Sequence, residues 1–237
     1  MSENQGNEFE YLEYGPENNI RKLVFTFHGY GRNGWFLDKL NKDIAGAFPN
    51  TKVLALHGPD RLKLPKRLDI SQLNFPAELK RDDGMMEPEM QRQWFSMQGG
   101  FPNIWWRLWK LIPRINKFAD QKRDYYGLES RDIVYFGFSQ GGAVASYAAL
   151  RRKEAIACLV GHSTVFWGAV PFRSKMPVLF MYGDQDPSIS QALYDKSIVK
   201  LQKHARPLDV IELADQGHYI SSESRGQALA YLEKYLV

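Results

Sequence analysis

The sequence predicts an α/β fold, a mostly parallel central sheet with helices on both faces, from three observations. Short β-branched and aromatic runs alternate with longer helical stretches along the chain. One of these runs passes through Gly137-Phe138-Ser139-Gln140-Gly141 directly into a helix of small residues, a strand–turn–helix unit. The 237 residues, 44% of them hydrophobic, are enough to bury a large core as one domain spanning 1–237.

Each element follows from local pattern. Glu8 to Tyr14 reads as an added edge strand, and the apolar runs Lys22–Phe27, Lys52–Leu56, Asp132–Phe136, Ala155–Val160, Val178–Tyr182 and Leu208–Leu213 read as sheet strands. Helical stretches fall near Trp35–Phe48, Ile104–Lys122, Gly142–Arg152, Ser190–His204 and Ser222–Tyr235. Pro113 is expected to kink or split the second of these, because proline removes a helical hydrogen bond and clashes with the preceding turn. Trp105, Trp106 and Trp109 stand at helical spacing and are read as core. The stretch Arg61 to Met97, rich in proline, methionine and charge, breaks the rhythm and is read as a cap or long functional loop. Its Leu73, Phe75, Met85 and Met86, with Trp94, are candidates to line a substrate pocket, since flexible methionine side chains suit a variable aliphatic ligand.

The segment around Ser139 carries the chemistry. In a G-x-S-x-G elbow the serine sits on a tight turn between strand and helix, where side chains at Gly137 and Gly141 would collide with neighbouring backbone. Ser139 is thereby a candidate nucleophile, and the amide of Gln140, at a helix N-terminus, a candidate oxyanion donor. An elbow of this kind requires an acid and then a histidine, each on a loop after a later strand. The turn Gly183-Asp184-Gln185-Asp186-Pro187 offers two carboxylates, and Gln216-Gly217-His218 follows the next strand. His218 is the histidine in the right order. Asp184, Asp186 and Asp215 remain alternatives for the acid, while His28, His57 and His162 read as structural and His204 as solvated.

Three blocks together resemble the phospholipase/carboxylesterase family of α/β-hydrolases, which includes acyl-protein thioesterases: Phe27-His28-Gly29-Tyr30-Gly31, Gly137-Phe138-Ser139-Gln140-Gly141-Gly142, and Gly183-Asp184-Gln185-Asp186-Pro187 with Gly217-His218. Gln93-Trp94-Phe95 resembles the family's Trp-Phe block, so the likeness spans most of residues 20 to 237. The resemblance implies the α/β-hydrolase fold, selects Asp186 through a Gly-x-x-Asp pattern, and puts the second oxyanion donor at the backbone N–H of Tyr30. It also implies a serine esterase or thioesterase that needs no cofactor or metal. The substrate class is then a small-molecule or lipid ester, with acylated protein as a further member. The chain departs from the family at Tyr182, where a histidine is usual before the acid-loop glycine, and at Tyr219-Ile220 after the histidine. The competing readings are a hydrolase of small esters or lactones, and a non-catalytic ligand receptor on the same fold.

Composition excludes other classes. No stretch approaches the ~20 apolar residues of a spanning helix, and the polar start Met1 to Glu8 is unlike a signal, which together predict a cytoplasmic protein, monomeric or homodimeric. The net charge of +4 includes clusters at Arg61–Arg67 and Arg151–Lys153, read as solvated surface because acids accompany them. No helix-turn-helix, stacking platform or zinc spacing points to nucleic acid. Cys158, the single cysteine, lies in an apolar run and reads as strand filler.

Overall fold

In the computed structural model, residues 8–62, 91–168 and 173–237 are described. A seven-stranded sheet runs through them in the order β1-β3-β2-β6-β7-β8-β9. The strands are β1 Tyr11–Tyr14, β2 Lys22–Phe27, β3 Thr51–Leu56, β6 Ile133–Phe138, β7 Cys158–His162, β8 Val178–Gly183 and β9 Leu208–Leu213. All neighbours pair in parallel except β1, which lies antiparallel on β3 and forms one edge, as anticipated. The central strands β3, β6, β7 and β8 are buried at every position. Their largely apolar runs follow from having helices above and below.

Side chains that alternate along these strands feed two cores. On one face, Phe25, Tyr135, Leu159 and Phe180 pack with α2 (Gly100–Tyr125), α3 (Gln140–Leu150) and α4 (Gln191–Leu201). On the other, Val24, Val134, Val160 and Met181 pack with α1 (Asp38–Ala47) and α5 (Ser222–Leu236). Cys158 is fully buried on that second face, and burial raises its thiol pKa.

Four expectations are corrected. Of the kink or split expected at Pro113, the split does not occur: α2 continues to Tyr125 with the proline on its exposed side. Trp106 and Trp109 lie on the outer surface of α2, 55% and 43% exposed, and only Trp105 turns inward, against Tyr147. Arg152, expected in a solvated cluster, is buried and bonded to Asp120, Ser130 and Tyr135. The strand expected at Ala155–Val160 begins at Cys158 and runs to His162, which carries that histidine into the sheet. A two-stranded ribbon was not anticipated: β4 (Asp60–Arg61) pairs with β5 (Arg92–Gln93) and joins the two ends of the 61–97 segment. Leu73, Phe75, Met85 and Met86 lie outside the described residues.

Candidate active site

Ser139 stands between β6 and α3 with φ 53° and ψ −121°, a conformation that non-glycine residues rarely adopt. The flanking glycines make the turn possible. A Cβ on Gly137 would come within 2.5 Å of the Gly141 carbonyl oxygen, and one on Gly141 within 2.3 Å of the Phe27 oxygen. The start of α3 therefore rests directly on the end of β2. Thr164 Oγ1 donates to the Ser139 carbonyl, while the Ser139 amide donates to the His162 carbonyl, tying the turn to β7.

His218 follows β9 and Asp186 follows β8. Nε2 of His218 lies 2.9 Å from Ser139 Oγ, and its Nδ1 lies 2.7 Å from Asp186 Oδ2. The hydroxyl donates to Nε2 and Nδ1–H donates to the carboxylate, which fixes the tautomer of the neutral ring. Of the three candidate acids, Asp186 alone reaches the imidazole. Asp184 is exposed, and Asp215 is an exposed residue with φ 53° that shapes the histidine loop.

Asp186 is 1% exposed at its side chain and takes four donors. Oδ1 accepts from the Ser188 and Ile189 amides at 2.7 and 3.0 Å. Oδ2 accepts from His218 and, at 2.5 Å, from the Tyr194 hydroxyl. Burial pushes its pKa up, but the hydrogen bonds from His218 and Tyr194 and the attraction of the imidazole outweigh this and hold it below the ordinary carboxylate value. Tyr182, the residue that departs from the family pattern, stacks on Tyr194 with ring centroids 4.3 Å apart and donates its own hydroxyl to Glu212. It thus holds the tyrosine that holds the acid.

The loop after β2 lies beside the serine, for a Cβ on Gly29 would meet Ser139 Cβ at 3.4 Å. Among the described residues, neither the Tyr30 nor the Gln140 amide donates to a protein acceptor. Three side chains support this loop. His28 is buried with Nδ1–H on the Gly29 carbonyl and Nε2 accepting from the Gly58 amide. The Gln140 side chain accepts from the Trp94 amide and donates to the Phe95 carbonyl. Trp94, expected to line the pocket, is only 1% exposed; its indole donates to the His28 carbonyl and packs on Phe27. It braces the loop from beneath and presents no surface to a ligand. Its one sequence signal is its place in the Trp-Phe block. Gly31, at φ 72°, donates to the Arg92 carbonyl, and Arg92 to that of Arg32, so the base of the 61–97 segment is laced to the Tyr30 loop.

Three buried histidines make the fold acid-sensitive. Burial lowers the pKa of His28 and His162 to about 3 and of His57 to about 4. The unfolded chain binds these protons near 6.5, so stability is fully present above that value and falls as pH drops toward the folded values. At about pH 5 each histidine removes roughly 2 kcal/mol, about 6 in total, against a typical domain stability of about 5–15. Urea titrations at neutral pH and about pH 5 are expected to show a large fall in midpoint. An unchanged midpoint refutes this account.

The family model of phospholipases and carboxylesterases matches residues 74–236. Acyl-protein thioesterase 1 of Schizosaccharomyces pombe is 27% identical over 220 residues, 85% of each chain. The protein of the same name from Cryptococcus neoformans var. neoformans serotype D (strain JEC21) is 24% identical over 209 residues, 80% of this chain and 76% of its own. The crystal structure of esterase PE8 superposes with a TM-score of 0.75 at 22% identity, covering 97% of this chain and all of the other. The Bacillus cereus carboxylesterase does so with 0.71 at 17%, covering 96% and 95%. With the family model matched over well over half its length, and the same sheet found in solved esterases, the chain belongs to the phospholipase/carboxylesterase family of α/β-hydrolases.

Proposed function

We propose that this ester hydrolase cleaves carboxylic esters and thioesters through an acyl-enzyme on Ser139. His218 Nε2 takes the hydroxyl proton as Ser139 Oγ attacks the acyl carbonyl, and returns it to the departing alcohol or thiol. Asp186 fixes the ring and balances the imidazolium charge. The amides of Tyr30 and Gln140 receive the negative oxygen of the tetrahedral intermediate. Water, deprotonated by the same histidine, then releases the acid. The observation that carries this reading is the unbroken line from Ser139 Oγ to His218 at 2.9 Å and on to Asp186 at 2.7 Å.

The acyl group is proposed to be medium or long, with lipid esters and acylated proteins as the substrate class. Support comes from the names of the yeast relatives, both acyl-protein thioesterases, and from the tie between Arg92 and the Tyr30 loop. The test is a series of p-nitrophenyl esters from acetate to palmitate, read alongside mapping of a fluorophosphonate adduct. Each methylene buried in the site is worth up to about 0.8 kcal/mol, or roughly fourfold in kcat/KM. Activity is expected to climb from acetate toward the longer chains, without need of added metal, and deleting Asp82 to Glu89 is expected to flatten the climb. An enzyme that hydrolyses acetate and ignores octanoate supports the small-ester reading instead. No adduct and no hydrolysis of any ester would leave the receptor reading.

A further inference from the structure

The outer face of α2 has a composition that neither packing nor the proposed chemistry uses. Its inner side buries Leu108, Leu111, Ile112 and Ile115, yet Trp106 and Trp109 stand outside, 55% and 43% exposed. From Gln98 to Ala119 there is no Asp or Glu, and the segment carries Arg107, Lys110, Arg114 and Lys117. Arg114 is paired with Glu8, and Arg107 donates to the Ser96 and Gln98 carbonyls. Lys110 lies 3.7 Å over the Trp106 ring, and the Arg151 guanidinium, from the end of α3, lies 3.6 Å over Trp109. Arg151 Nη1 is buried with no hydrogen-bond partner, and the exposed Arg173 adds a like charge beside it.

We propose that this face of α2 docks on an anionic phospholipid surface. Indole rings settle at the boundary between headgroups and acyl chains because they combine an apolar body with one N–H donor. Lys110, Lys117, Arg151 and Arg173 supply the attraction to anionic headgroups. The 26-residue α2, about 39 Å long at 1.5 Å per residue, can lie in the plane of that surface rather than cross it. No helix among the described residues is long and apolar enough to span a membrane. An acidic protein partner would satisfy the cations but gives no reason for two exposed tryptophans among them.

Vesicle co-sedimentation tests this directly. The protein is expected to bind phosphatidylserine-rich vesicles at low salt, to be released by high salt, and to bind pure phosphatidylcholine far less. Binding is expected to shift tryptophan emission to the blue. Trp106→Ala with Trp109→Ala should abolish that shift and most of the binding, and Lys110→Gln or Lys117→Gln should weaken partitioning roughly fivefold each. Circular dichroism establishes that the variants are folded. Ser139→Ala is expected to bind vesicles like the wild type, so loss of the esterase reading would leave this one intact. The proposal is overturned if the wild type stays in the supernatant, or if these variants sediment like it. It is equally overturned if an acidic peptide or a self-dimer covers both tryptophans while vesicles do not bind.

Discussion

Replacing Ser139 with alanine is expected to lower kcat on an activated ester by roughly four to six orders of magnitude, with KM little changed. The physical reason is that no other oxygen in the site can take its place. Its position depends on a backbone at φ 53° that the Gly137 and Gly141 contacts enforce, and on the 2.9 Å approach of His218 Nε2. The residual rate should come from the amides of Tyr30 and Gln140 alone, and adding His218→Ala should cost little more, because the residues act as a unit. Cys158→Ser is expected to retain full turnover, since that thiol is buried on the α1–α5 side of the sheet. Full turnover in Ser139→Ala, or a fluorophosphonate adduct on another residue, would refute the assignment.

The sheet was legible because its strands are covered on both faces, so the run at Val178–Tyr182 is apolar throughout and that at Lys22–Phe27 is broken only by Lys22 and Thr26. The order of serine, acid and histidine was legible because each sits at the end of such a strand. What pattern could not supply was direction. Helical spacing puts Trp105, Trp106 and Trp109 on neighbouring faces, but only the packing of Tyr147 decides which one turns inward. Trp94 looked like a ligand surface because aromatic side chains serve both roles. The groups that decide its fate, the His28 carbonyl and the Gln140 side-chain oxygen, are 66 and 46 residues away in sequence. Tyr194 left no signal at all: a tyrosine in an amphipathic helix reads as core, and its bond to Asp186 arises only when α4 folds back over β8. Whether Pro113 ends its helix depends on whether water can reach the carbonyl left without a donor, which is a property of the packed helix and not of the sequence pattern.

The acid gives the second large effect. Asp186→Asn is expected to reduce kcat by about four orders of magnitude, whereas Asp184→Asn should stay within about twofold of wild type. An asparagine can present an N–H to Nδ1, and the imidazole would then carry its proton on Nε2, where it cannot accept from Ser139. Asp184 is exposed and makes no contact with His218, so its amide changes neither tautomer nor charge at the ring. Tyr194→Phe separates positioning from charge. It removes the 2.5 Å hydroxyl bond to Asp186 Oδ2 but keeps the ring stacked on Tyr182. With one donor fewer, the carboxylate interacts more strongly with the protonated imidazole, so the acid limb of kcat/KM should move to higher pH while kcat at its plateau falls by about tenfold or less. A merely structural loss would lower the amount of folded enzyme and leave the shape of the pH profile where it was. Equal losses in Asp184→Asn and Asp186→Asn, or a large loss only in Asp215→Asn, would move the acid elsewhere on these two loops.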